Sequence, residues 1–207
     1  MSTDSLAARL ALVPAASEAG IWQRHARART ARHGLDGRAG DGRWGTRGAF
    51  PVLYLGRPTD SVVVEAYRHL VDPVDVEDAA ERDSLLDNLV PRVLITCSVS
   101  ATGLLDLRSP GARGHAGLTL QDLQSGTDDQ DAYRRCQEVA QVAHQLGRHG
   151  VIAPAATGLG ETLALFTDLL PSGERPVRSA EDEPWVRLPA DPRTERVRQL
   201  RVVPRTD

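Results

Sequence analysis

The clearest alternation of apolar and polar positions runs from Arg92 to Val99. Val93, Ile95, Cys97 and Val99 take one face, and Leu94, Thr96 and Ser98 take the other, a period of two that predicts a strand. Gly103 to Leu107 predicts another. From Asp131 to His149 the period changes to that of a helix, with Tyr133, Cys136, Ala140, Ala143 and Leu146 on one side. Asp128, Asp129 and Asp131 lie at its positive end, Arg148 and His149 at its negative end, and Gly150 follows as a terminator. Short apolar runs at Pro51–Leu55, Val151–Pro154 and Leu163–Phe166 predict three more strands. Thr59 or Asp60 caps a helix through Val71, and Thr3-Asp4 opens a first helix that Pro14 stops. Pro73 to Val90, rich in acids with the single base Arg82, predicts a solvated helix with Leu85, Leu86 and Leu89 facing inward. Ile21 to Gly48 is polar, rich in Gly and Arg, and has little periodicity. Val197 to Val203 predicts one more edge strand.

Strands and helices alternate irregularly, which predicts an α+β fold: a single domain with a mixed β-sheet and flanking helices. The 207 residues suffice for one well-formed core. They divide into an N-terminal helical extension (1–20), a central domain (21–170) and a Pro/Arg-rich C-terminal segment (171–207).

Charge narrows the function. All 25 basic residues are arginine, so Schiff-base, P-loop-lysine and lysine general-base chemistry are excluded. With 28 acids and a net charge of −3, the chain lacks the positive excess of a surface that tracks nucleic acid. Cys97 and Cys136 are two small core hydrophobes, not a disulfide scaffold. No apolar run has the length of a membrane span, and the expected location is the cytoplasm. The six histidines show no metal-binding spacing. Gly158-Leu-Gly160 reads as a tight turn rather than a phosphate cradle.

Three positions stand out by context. Gly42-Arg43-Trp44 places an arginine between a glycine and an aromatic just before a strand, and its planar fork suits phosphate oxygens. The ordinary alternative is a surface arginine beside a packed tryptophan. Tyr54 sits within the strand Pro51–Leu55, where core packing is the usual role. Glu65 lies at the margin of the apolar arc Val62, Val63, Ala66 and Leu70. There it is either a cleft carboxylate or a boundary residue paired with Arg68 or His69.

The order and spacing of these positions resemble the RES-domain toxins of bacterial RES–Xre toxin–antitoxin pairs. Arg43 to Tyr54 and Tyr54 to Glu65 are each eleven residues apart. Trp22-Gln-Arg-His25 resembles the family's early aromatic-x-Arg segment. Leu104–Leu107 with Ser109-Pro110 resembles its middle, and Tyr133 through Ala156 its closing helix and strand, so the likeness spans Ile21 to Leu170. There are departures: Asp41 for a glycine, Gly45 for the usual asparagine, His25 in an often aromatic place, and Ala155 where many members carry serine.

The resemblance implies a fold like that of ADP-ribosyltransferase toxins and cleavage of the nicotinamide–ribose bond of NAD. It makes Glu65, Arg43 and Tyr54 the catalytic candidates, and Arg24, His25, Arg43, Trp44, Tyr54 and Ala155 the NAD-binding ones. Glu65 would stabilise the oxocarbenium-like transition state, Arg24 and Arg43 would hold the pyrophosphate, and Tyr54 would border the nicotinamide. Thr157 or a nearby N–H would stand in for the hydroxyl of the family's serine. It implies no resident cofactor and no metal: NAD is the substrate, and inorganic phosphate the favoured co-substrate, giving ADP-ribose 1″-phosphate. The alternatives are a glycohydrolase, an ADP-ribosyltransferase, or a degenerate RES domain that binds without turnover. The implied partner is an Xre-like antitoxin in a hetero-oligomer, which covers the NAD cleft or inserts a segment into it. The acidic stretch Asp72–Asp87 and the arginine-rich end after Arg193 are solvated faces or contact surfaces for it.

Overall fold

The computed structural model describes residues 3–126 and 128–194, and the strand expected at Val197–Val203 lies outside them. In chain order the elements are α1 (Thr3–Ala11), β1 (Ala15–Arg27), β2 (Val52–Arg57), α2 (Thr59–Leu70), α3 (Ala79–Asp87) and β3 (Arg92–Asp106). Then follow α4 (Pro110–Ala116), α5 (Leu120–Gln124), α6 (Gln130–Gln145), β4 (Gly150–Pro154), β5 (Glu161–Phe166), β6 (Val177–Arg178) and β7 (Glu183–Trp185).

The sheet is mixed, as expected. β3 pairs in parallel with β4, and every other strand pairing among the described residues is antiparallel. β1 pairs with both β2 and β3, so the ladder β1–β2–β5–β4–β3 closes on itself. The closure is thin at one place: β1 meets β2 through the single pair Gln23 and Gly56. Trp22, Leu53, Leu55, Cys97, Val99, Leu104, Ile152, Leu163 and Leu165 pack together as one apolar cluster. On the other face, α1, α4, α5 and α6 cover Val52, Leu105, Val151, Ala153 and Phe166. Both cysteines are buried and free.

Three readings of the chain need correction. The stretch after Gly20 that lacked periodicity opens within β1, a 13-residue strand, followed over Ala28–His33 by two short 3₁₀ turns that meet in a kink at Thr30. Its buried positions are Glu18, Trp22 and Ala26, four apart, which is not the signature of a strand. Arg92–Val99 and Gly103–Leu107 are not two strands but one, β3. The pairing Ala16–Leu104 followed by Glu18–Ala101 leaves an extra residue on β3, and Gly103 absorbs it at φ +65°. The sixth helix ends at Gln145, earlier than its pattern suggested.

The acidic stretch after Asp72 is only partly a solvated face. Arg187 bonds Asp83 and Asp87, Arg193 bonds Asp72 and Asp191, and Arg82 reaches Asp191. These pairs fasten the C-terminal segment across α2 and α3, where Tyr67 also donates to the Pro189 carbonyl at 2.9 Å. The two edge strands that this segment adds, β6 and β7, pair with β3.

Candidate active site

A cleft of about 460 Å³ opens where β1 and β2 part beside the Gln23–Gly56 pair. β1 supplies Arg24 and His25, β2 supplies Tyr54, and α2 supplies Glu65, Arg68 and His69. The loop before β2 brings Arg43 and Trp44, and α6 brings Tyr133. Of the residues singled out in the sequence, Ala155 and Thr157 are not among those lining the cleft, although Pro154 and Ala156 beside them are.

The loop carrying Arg43 is a tight turn: the Gly42 N–H donates to the Gly45 carbonyl at 2.9 Å. Both glycines are sterically required. A Cβ on Gly42 would lie 2.5 Å from the Tyr54 hydroxyl, and one on Gly45 would lie 2.9 Å from Val52 Cγ2. An asparagine at Gly45 would not fit without displacing Val52. Arg43 at the tip is buried, 8% exposed, and its guanidinium serves the protein. Nη1 donates to the Asp122 carbonyl (2.5 Å) and Ser125 Oγ (3.2 Å), and Nη2 to the Ser125 carbonyl (2.7 Å). The group also lies 4.5 Å over the Tyr133 ring. Trp44 borders the cleft but is buried in the layer beneath the helices. Its main-chain N–H donates to the Tyr54 hydroxyl at 2.9 Å. Burial raises the Tyr54 pKa well above the usual phenol value, so Tyr54 is a neutral wall of the cleft.

Arg24 is the opposite case. It is largely buried, its Nε has no hydrogen-bond partner, and no protein acceptor engages its guanidinium among the described residues. Burial, then repulsion from Arg38 and Arg92, brings its pKa down to about 10. An unpaired buried cation at a cleft wall is costly unless an anion completes it. His25, next in the strand, is pushed down to about pH 3 by burial, Arg92, His69 and Arg24 in that order. Its ring stacks at 6.4 Å on Trp185 of β7.

α2 presents a polar stripe to the cleft: Ser61, Glu65 and Arg68, with His69 beside it, recurring at one helical face. Glu65 is 41% exposed and lies 3.4 Å from His69 Nδ1. Arg68 does not pair with it. Its Nη1 donates to the Ala156 carbonyl and its Nη2 to the Ser125 carbonyl, the same oxygen that Arg43 holds. Ala155 is 1% exposed and closes the turn between β4 and β5. Its N–H donates to the Gly160 carbonyl and its own carbonyl accepts from the Gly158 N–H, each at 3.0 Å. The Thr157 hydroxyl meets the Ser61 hydroxyl at 2.9 Å. Gly158-Leu-Gly160 is thus a turn, with both glycines at positive φ.

Ser61, Arg68 and Tyr133 were not singled out as site residues in the sequence. The signal for the first two was the polar stripe i, i+4, i+7 through Glu65, flanking the apolar arc of the same helix. Tyr133 carried none, since it obeys the helical core period of α6.

Fold and cleft define the class: an α+β domain whose closed sheet opens into a cleft lined by a single glutamate and by three arginines without carboxylate partners among the described residues. The chain belongs to the RES-domain family, whose profile matches residues 19–188. Over 157 residues it is 29% identical to the NAD(+) phosphorylase MbcT of Mycobacterium tuberculosis (strain ATCC 25618 / H37Rv), covering 74% of this chain and 76% of that protein. The MbcT of Mycobacterium bovis matches to the same degree. The crystal structure of the M. tuberculosis MbcT–MbcA toxin–antitoxin complex superposes with a TM-score of 0.65 at 25% identity, over 87% of this chain and 89% of that one. Among the described residues no helix is long and apolar enough to cross a membrane.

Proposed function

We propose that this protein is the toxin of a toxin–antitoxin pair and cleaves the nicotinamide–ribose bond of NAD by phosphorolysis, releasing nicotinamide and ADP-ribose 1″-phosphate in the cytoplasm. The observation that carries this reading is the pairing, in one cleft, of a half-buried Glu65 with an arginine, Arg24, that has no partner among the described residues. Breaking the bond develops positive charge on the ribose, and a fixed carboxylate beside it stabilises that state more than the ground state. Arg24 supplies donors and charge for the pyrophosphate. Arg43 and Arg68 hold the Ser125 and Ala156 carbonyls and so shape the wall opposite, while their field adds to the attraction for anions. Tyr54, neutral and held by the Trp44 N–H, borders the departing ring. NAD and inorganic phosphate are substrates in this scheme, and no resident cofactor takes part. The identity shared with MbcT supports phosphate as acceptor, and the likeness to the MbcT–MbcA complex supports a protein antitoxin as partner.

The test is incubation of the purified protein with NAD, with and without phosphate, following nicotinamide and the ribosyl product. Phosphate-dependent release yielding ADP-ribose 1″-phosphate is expected. Release indifferent to phosphate identifies a glycohydrolase, and no release from antitoxin-free protein identifies a binding module.

A further inference from the structure

His25 pairs with Leu94 in the β1–β3 ladder, and Arg92 is its diagonal neighbour on the same face. Arg92 Nη2 lies 2.8 Å from His25 Nδ1. A guanidinium carries N–H donors and no acceptor, so Nδ1 must present its lone pair, and the single proton of the neutral ring sits on Nε2. Arg92 is not among the residues lining the cleft, whereas His25 is, and Nε2 has no protein partner among the described residues. Trp185, stacked on the ring with 13° between the planes, limits its rotation.

We propose that Arg92 is a positioning residue that fixes His25 as an uncharged Nε2–H donor in the cleft, where it takes an acceptor oxygen of the dinucleotide beside the phosphates held by Arg24. The inference rests on the functional reading above for its ligand, and on the Arg92–His25 contact for its tautomer.

Protonating Nδ1 would set a ring N–H against the guanidinium N–H, donor against donor. The charged and titratable groups acting on the ring are Arg92 from β3, His69 from α2 and Arg24 from its own strand, and each opposes a second proton. The donor therefore stays neutral and keeps its direction across the working pH range. A fixed neutral N–H adds selectivity that the arginines do not, because it is left unpaired by a ligand that lacks the matching acceptor.

The test combines long-range ¹H–¹⁵N spectra of the histidine rings with steady-state NAD cleavage by wild type, Arg92→Leu and Arg92→Gln. Wild type is expected to show His25 as the Nε2–H tautomer. Arg92→Leu should mix the tautomers and raise KM for NAD about tenfold, with kcat changed no more than about twofold. Arg92→Gln, whose amide still donates to Nδ1, should restore both. An Nδ1–H tautomer in wild type, an unchanged KM in Arg92→Leu, or a folded Arg92→Gln that keeps the raised KM would overturn the proposal. Should Arg92→Leu not fold, the wild-type spectrum and Arg92→Gln still decide. The expected tautomer in a wild type that does not turn over NAD overturns the functional reading and the ligand named here, but not the Arg92–His25 pairing.

Discussion

The Tyr54 hydroxyl accepts the main-chain N–H of Trp44 at 2.9 Å, tying the second strand to the loop that carries Arg43. The loop is thereby seated from both sides, since Gln137 of α6 donates to the Gly42 carbonyl at 3.0 Å. A motif that reads in sequence as three separate residues is one mechanical unit.

Tyr54→Phe removes the acceptor and leaves the buried Trp44 N–H unpaired. It should lower stability by about 1 kcal/mol and reduce NAD turnover through a looser Arg43 loop. Gly42→Ala should cost about 1–3 kcal/mol, because its Cβ meets the rigid end of the Tyr54 ring. Denaturant midpoints of the two variants check both numbers, and a Gly42→Ala protein as stable as wild type would refute the close contact.

Arg24 and Arg43 should separate cleanly. Arg24 has no partner among the described residues, so Arg24→Gln should leave stability unchanged or raised while KM for NAD climbs at least about tenfold. Arg43→Gln strips donors from two main-chain carbonyls and a hydroxyl, and should cost about 2 kcal/mol of stability along with activity. Thermal denaturation beside NAD-binding calorimetry distinguishes them. Equal destabilisation of both variants would contradict the division of labour.

Glu65→Gln keeps size and polarity but removes the charge. It should lower kcat by about 100-fold or more and leave NAD affinity nearly intact, because the carboxylate acts on charge that develops only in the transition state. Binding calorimetry with single-turnover kinetics separates the two effects. Full activity in this variant removes Glu65 from the reaction.

The parts of this molecule that were legible in its sequence are those whose pattern serves only the core. The helix α6 and the strands β2, β4 and β5 bury one face or both, and their periods say so. β1 failed because it borders the cleft: Arg24 sits in a row with Trp22 and Ala26, and its buried positions recur every four residues. α4 and α5 are too short for a period, and only their caps speak. Ser109 caps the first, and Thr119 with Asp122 forms a capping box on the second. Glu65 was visible because a carboxylate breaks an apolar margin. Arg68 was hidden, since an arginine in the last turn of a helix is ordinary until its carbonyl partners are seen.

The pH dependence of stability offers a prediction with a definite sign. His25 titrates at about pH 3 in the folded protein against an ordinary value near 6.5. Well above pH 6.5 the ring is neutral in both states and contributes no slope. As pH falls below 6.5, the unfolded chain takes up a proton that the folded one refuses, so stability declines and goes on declining toward pH 3. Asp106 and Asp191, held below the usual carboxylate range against the pull of burial by Arg108 and Arg193, add their own losses only at the acid end. The interval from about pH 6.5 to about pH 5 therefore separates the contribution of His25 from that of these two carboxylates. Melting temperatures measured at constant ionic strength should fall across that interval in wild type, and His25→Asn, which has no proton to refuse, should fall less. Parallel curves for the two proteins would mean that His25 accepts its proton in the fold, and with it that Arg92 does not hold the ring neutral.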